Sequence, residues 1–170
     1  MSELKQVLYD LRVSYNGPFV IEDLYEDIDK WINEHGHEKE NKKKSEYITK
    51  NGKKIQYVFE VHTHLDDLHH GIVVCRVYIE NMTEATISGN GKKRKINNGE
   101  ILINVDAFIE AHVYGTFYNQ RPIFYMIRTI IDRFIWPFWG EKYDGTVNHQ
   151  GRELYKRIKS FLNTEKLRYE

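Results

Sequence analysis

The chain has 170 residues, of which 41% are hydrophobic, 14% are aromatic and 29% are charged. This length and composition exclude wholesale disorder and suit one core, so we predict a single domain over residues 1–170. The 25 basic residues balance the 25 acidic ones, which excludes attraction of nucleic acid or anionic lipid by net charge and leaves only local patches for such partners.

Cysteine content and hydropathy bear on the compartment. Because Cys75 is the only cysteine, an internal disulfide is excluded, and its apolar neighbours predict a buried structural thiol. Residues 1–15 carry early charges and no uninterrupted apolar run, which does not fit a secretory signal. The most apolar segment, residues 123–139, contains two arginines and an aspartate and does not fit a bilayer span. We therefore expect a cytoplasmic protein without a membrane span.

The first elements in chain order are a strand and a helix. Apolar residues alternate from Val7 to Tyr15, which predicts a strand that stops at Asn16-Gly17-Pro18. From Ile21 to Ile32 the apolar residues fall at helical spacing, with acidic residues on the remaining face. The glycine of His35-Gly36-His37 is typical of a helix terminus. The charged stretch that follows, residues 38–54, contains an Asn-Gly pair that predicts a hairpin turn.

Three apolar runs then predict an antiparallel meander. Residues 55–65 alternate most clearly, residues 72–81 are rich in β-branched residues, and residues 101–113 alternate again. Short glycine-containing turns join them without an intervening helix, as antiparallel neighbours require.

The last quarter of the chain predicts two helices. Pro122 is placed as the first residue of a very apolar helix that ends at Pro137. A final short helix follows over residues 148–163. The predicted fold class is therefore α+β, an antiparallel meander sheet covered by an N-terminal helix and an apolar C-terminal helix, plus the final short helix.

This order of elements resembles the helix-grip architecture of the START and Bet v 1-like (SRPBCC) superfamily. The resemblance covers most of the chain and depends on the element order, on Asn16-Gly17-Pro18-Phe19 leading into the helix, and on the aromatic-rich closing helix. It differs in having one long early helix and a second C-terminal helix. The resemblance implies a curved sheet that grips a helix around a space for an apolar ligand, or around a space filled by side chains.

The main functional prediction is a non-catalytic protein that binds a hydrophobic small molecule or acts as an interaction module, without a cofactor. The apolar strand faces offer almost no titratable groups for acid–base catalysis. Apolar side chains from three strands and from the apolar helix are predicted to line the pocket. These residues are Tyr57, Phe59, Val77, Val105, Ile109, Phe124, Ile127 and Ile131.

A metal-dependent enzyme is one alternative. His62 and His64 project from the same face of a predicted strand, and Glu60, His69 or His70 would complete a tetrahedral site. The competing interpretation is a solvated hairpin, whose histidines would respond to pH.

An RNA- or ribosome-associated protein is the other alternative. Basic residues cluster at Lys42–Lys44, at Lys53-Lys54 and in the basic patch formed by Lys92, Lys93, Arg94 and Lys95, and hairpin tips on one edge would form a basic rim. The aromatic segment 136–143 is predicted to be core, and if exposed it would be a surface for a protein partner or a homodimer.

Overall fold

Five strands and two helices form an α+β fold in the computed structural model, which describes residues 2–89, 92–112 and 136–169. The elements in chain order are β1 Ser2–Phe19, α1 Ile21–Glu34, β2 Glu38–Thr49, β3 Gly52–His64, β4 His69–Gly89, β5 Lys92–His112 and α2 Trp136–Tyr169. The predicted apolar helix before Pro137 falls largely on residues 113–135, which lie outside the described residues.

The strands form one antiparallel sheet in the order β1-β5-β4-β3-β2. The predicted meander is confirmed, since β2 to β5 pair consecutively, and β1 adds to the far side of β5. The charged stretch after α1 is the edge strand β2. Charged side chains suit an edge strand because they discourage pairing with another chain.

Helix α1 confirms the helix that begins at Ile21. Its N-cap, Val20, makes no side-chain capping bond, but the amide of Ile21 donates to Oδ1 of Asn97 of β5 at 3.2 Å, so a side chain of the sheet satisfies this end of the helix. Gly36 ends the helix with a positive φ of 64°, and the amide of His37 donates to the carbonyl of Ile32 at 3.0 Å. The buried face consists of Ile21, Leu24, Ile28, Trp31 and Ile32.

Helix α2 is longer than the predicted final short helix. It has 34 residues and is already helical at Trp136 and Pro137, where the sequence had suggested a helix end. A proline fits the first turn of a helix because its missing N–H would have no intrahelical acceptor there. The later turns bury Val147, Leu154, Ile158 and Leu162 in the core.

Both helices pack on one face of the sheet, which we call the helix-covered face; the opposite one is the outer face. Alternate strand residues project onto the helix-covered face and join α1 and α2 in a single hydrophobic cluster. Gly151 of α2 passes so close to β1 that a Cβ there would lie 2.6 Å from a methyl carbon of Leu8. Neither described helix combines the length and apolar character needed to cross a bilayer.

A bulge in β4 separates the main sheet from a two-stranded extension. The register shifts between Glu80 and Thr83, and Asn81 has a positive φ of 53°. The last described β3–β4 pair joins Lys53 to Met82. Beyond it, residues 83–89 of β4 pair with residues 92–98 of β5, and we call this two-stranded extension the ribbon.

Candidate functional site

The strand residues of the predicted pocket come together on the helix-covered face. Phe59, its neighbour Cys75 and Val105 stand opposite one another across three strands, and Tyr57 stands opposite Val77. All the predicted strand residues, including Ile109, are buried in the hydrophobic cluster. Phe124, Ile127 and Ile131 lie outside the described residues, so their place in the pocket stays a prediction.

Tyr25 of α1 adds a polar group to this apolar region. Its ring meets the ring of Tyr57 edge to face, with 5.2 Å between centroids. The Tyr25 hydroxyl oxygen is buried and has no hydrogen-bond partner. Burial raises the pKa of Tyr25, and the nearby Tyr57 and Glu46 raise it further. The helical spacing had placed Tyr25 on the apolar face of the helix, but its unsatisfied hydroxyl depends on tertiary packing.

The gap between α1 and the edge strand β2 is polar. The hydroxyl of Tyr57 donates to Oδ1 of Asn41. The ammonium of Lys39 lies 4.9 Å from the ring centroid of Phe59 and forms an ion pair with Asp29 of α1. Burial lowers the pKa of Lys39, but its bonds to Asp29 and Tyr57 outweigh this and raise it overall. The rim is therefore charged, whereas the interior is apolar.

Cys75 lies opposite Phe59 in the sheet and is fully buried, as predicted. Burial raises the pKa of its thiol to about 12. Since the thiolate is the nucleophilic form, a thiol with this pKa is inert at neutral pH.

The histidines of the β3–β4 hairpin are divided among different partners. His62 Nε2 lies 3.2 Å from Oε2 of Glu40 and 3.3 Å from Oε2 of Glu60. The ring of His64 instead lies beside His70, with 5.2 Å between centroids. The structure thus brings His62 together with the predicted Glu60 and with Glu40 of β2, whose contribution the sequence pattern did not reveal.

His69 is part of a hydrogen-bonded turn. Its Nδ1 lies 2.9 Å from Oδ1 of Asp66, and the hydroxyl of Tyr143 donates to Oδ2 of Asp66 at 2.8 Å. Burial favours the neutral acid, but the hydrogen bonds from Tyr143, from the Leu68 amide and from His69 hold the pKa of Asp66 well below its usual range. This cluster ties the turn to α2.

A second histidine cluster lies on the helix-covered face near the end of α1. The rings of His35 and His37 stack with centroids 5.7 Å apart, and both contact Trp31. Nδ1 of His37 lies 3.0 Å from the hydroxyl of Thr63, and its Nε2 is buried without a partner. Burial, and next the charge of His35, lower the pKa of His37, so the neutral imidazole is favoured.

The basic groups differ in their surroundings. Lys42 contacts Glu40 at 2.8 Å and Glu60 at 3.1 Å, and Lys53 contacts Glu46 at 2.8 Å. Lys92, Lys93, Arg94 and Lys95 occupy consecutive positions at the start of β5, in the ribbon. The tip of the β2–β3 hairpin and the ribbon lie at the same end of the sheet, as the register requires.

An open groove of about 560 Å³ lies on the outer face near the start of the ribbon. It includes Tyr78 and Leu102, and Leu102 is 42% exposed. Its rim carries the carboxylates of Glu80 and Glu100. This groove therefore lies on the face of the sheet opposite the predicted pocket residues.

Comparison with models of known protein families and with curated proteins found no match. The groups of the described residues are what the functional proposals below use. They include an apolar interior bordered by the buried, unpaired Tyr25 hydroxyl, a carboxylate–imidazole cluster on the outer face, and a basic ribbon.

Proposed function

We propose that the chain is a non-catalytic binding protein of the helix-grip type, which holds an apolar small molecule between the sheet and the helices. The observation that carries this proposal is the Tyr25 hydroxyl, buried beside apolar side chains without a hydrogen-bond partner. A buried hydroxyl without a partner costs about 1–3 kcal/mol. A ligand that accepts its hydrogen bond would recover this cost.

The polar groups near the site support one class of ligand. The raised pKa of Tyr25 keeps its hydroxyl protonated, so it donates a hydrogen bond. Of the two tyrosines, Tyr57 already donates its hydroxyl hydrogen to Asn41, so Tyr25 is the one whose hydroxyl can donate to a ligand. A mostly apolar molecule with one carbonyl, ester or ether oxygen has the chemistry for this site, since such pockets combine apolar walls with few polar groups.

The same groups favour binding over catalysis. At neutral pH the Cys75 thiol and the Tyr25 hydroxyl both remain protonated because their pKa values are raised. A general base needs a pKa near the working pH, and neither group has one. Their chemistry therefore supports a passive pocket.

Tyr25→Phe tests this proposal with two opposite expected effects. We expect the variant to bind Nile red, an apolar dye with a carbonyl acceptor, about 5- to 10-fold more weakly, because it lacks the donor. We expect the free protein to become about 1 kcal/mol more stable, because an unsatisfied hydroxyl has been removed. Dye titration by fluorescence and urea unfolding measure the two effects.

Matched substitutions on the two faces locate the dye. Val77→Phe fills the helix-covered face and should weaken binding, whereas Val58→Phe adds the same ring to the outer face and should leave binding unchanged. Urea unfolding checks that each variant is folded. The proposal is wrong if Leu102→Glu abolishes dye binding while Val77→Phe does not, because the dye would then occupy the outer groove.

A second candidate function, RNA binding, is favoured by the ribbon. The chain has no acidic residue from Ala85 to Gly99, and four consecutive basic residues, Lys92 to Lys95, lie within this stretch. Lys95, whose side chain is described, is exposed. By contrast, Lys42, Lys53 and Lys54 all have carboxylates beside them. The ribbon thus concentrates positive charge in a chain of zero net charge.

Salt-dependent binding of a single-stranded RNA tests the ribbon. The logarithm of the affinity falls with the logarithm of the salt concentration, and each phosphate contact adds about 0.7 to the steepness of this fall. Replacing the four basic residues with glutamine should therefore make the slope shallower by about 3. The control replaces four exposed lysines of the helices with glutamine, which changes net charge equally. The controls are Lys30, Lys142, Lys156 and Lys159. Equal slopes for the two variants would argue against a ribbon site.

A further inference from the structure

Two carboxylates face each other on the outer face at the edge of the sheet. Glu40 of β2 is directly opposite Glu60 of β3. Like charges in this position repel and destabilise a sheet unless a cation lies between them. In the structure that cation is the ammonium of Lys42, which contacts both carboxylates at 2.8 and 3.1 Å.

His62 completes the cluster from the next outer-face position of β3. Its Nε2 atom is buried and lies 3.2 and 3.3 Å from Oε2 of Glu40 and Oε2 of Glu60. An imidazole nitrogen is stable between two carboxylates when it carries a proton or when a cation lies between them. All three ligand atoms lie within 4.8 Å of one another.

These separations match a metal site. Zinc binds nitrogen and oxygen ligands at about 2.0–2.1 Å, so neighbouring ligands of a tetrahedral ion are about 3.3–3.4 Å apart. The separations of His62 Nε2 from the two carboxylate oxygens, 3.2 and 3.3 Å, are within about 0.2 Å of this value. One nitrogen and two oxygen ligands are a set that suits zinc better than calcium or magnesium, which prefer oxygen ligands alone.

We propose that Glu40, Glu60 and His62 bind a zinc ion on the outer face, in exchange for the Lys42 ammonium. Three protein ligands leave a tetrahedral ion one further position, which water occupies. His64 is not a ligand in this arrangement because its ring packs against His70. The proposed site therefore differs from the site predicted from the sequence, in which His62 and His64 of one strand were both ligands.

The backbone allows Lys42 to leave. The register passes from Asn41 opposite Phe59 to Lys43 opposite Val58, so Lys42 is the extra residue of a bulge and has no partner in the ladder. Its side chain is 39% exposed. Lys42 can therefore turn toward solvent without breaking the pairing of β2 with β3.

The competition between Lys42 and the ion makes the test specific. Zinc titration of the tag-free full chain by calorimetry should show one equivalent bound. His62→Gln and Glu60→Gln should each weaken binding at least 10-fold, because each removes a ligand. Lys42→Met should tighten binding about 5- to 10-fold, because it removes the competing cation.

His64→Gln is the matched control, since it changes an adjacent histidine of the same strand face, and it should leave the affinity within about 2-fold of the parent. Thermal unfolding without metal checks that every variant folds. The proposal is overturned if His64→Gln weakens binding as much as His62→Gln. It is equally overturned if Lys42→Met binds zinc no more tightly than the parent chain.

Discussion

Replacing Asp106 with alanine is expected to lower the free energy of unfolding by about 3 kcal/mol. Asp106 is 8% exposed on β5 and pairs with Arg76 of β4. Its Oδ1 accepts the backbone amide of Asp10 at 2.7 Å, where β1 bulges and Asp10 has a positive φ of 45°. The substitution leaves that amide without its acceptor and Arg76 without its carboxylate.

Urea unfolding of two further variants separates these contributions. Asp106→Asn keeps an oxygen acceptor for the Asp10 amide and should cost about 1 kcal/mol. Asp144→Ala removes a carboxylate that pairs with Lys5 at 2.6 Å near the surface, and should cost less than about 1 kcal/mol. If Asp106→Ala cost no more than Asp144→Ala, the network would not hold the β1 bulge.

Gly99→Ala is expected to destabilise the chain by about 2 kcal/mol. A Cβ at Gly99 of β5 would lie 2.9 Å from the carbonyl oxygen of Glu80 and 3.1 Å from Cα of Met82. Both atoms belong to the backbone of the β4 bulge, so no side chain can move aside to make room. The strand itself would have to shift.

Gly145→Ala provides a control for which we expect the opposite change in stability. Gly145 lies in α2, and a Cβ there would have nothing within 4 Å. Alanine is favoured over glycine in a helix by about 1 kcal/mol, so this variant should be more stable than the parent. Thermal and urea unfolding measure both variants. A Gly99→Ala protein as stable as Gly145→Ala would mean that the bulge tolerates a side chain.

The elements with clear periodicity were predictable from the sequence. Residues 55–65 alternate because one face of β3 is buried under the helices, and α1 repeats its apolar residues because one side of it packs against the core. Gly36 marked the end of α1 because the chain needs a positive φ there. In each case the signal is local, since neighbouring residues in the sequence share one environment.

The features that depend on strand pairing were not predictable. Edge strand β2 has almost no apolar pattern because most of its side chains are exposed. The proposed zinc ligands come from β2 and β3, and the role proposed for Glu40 depends on a register that a bulge at Lys42 shifts. The sequence alone carries no information about that register, so His64 and His62 looked equally suited to bind a metal.

The start of the C-terminal helix α2 was not predictable for a different reason. Pro137 suggested the end of a helix, yet it lies within α2, as does Gly145. Proline and glycine lower helix propensity, but tertiary packing overrides propensity where later turns bury Leu154 and Ile158. The start of the final helix was therefore predicted too late.

The pairing of the first strand with the last has a consequence for how the chain folds. Gln6 lies opposite Phe108, so about 100 residues must be synthesised and brought together before β1 can join the sheet. The hairpins from β2 to β5 close short loops and can form first, whereas β1 must wait for β5. Until β1 docks, β5 presents an unpaired edge, and during this interval the chain is most exposed to association with other copies of itself.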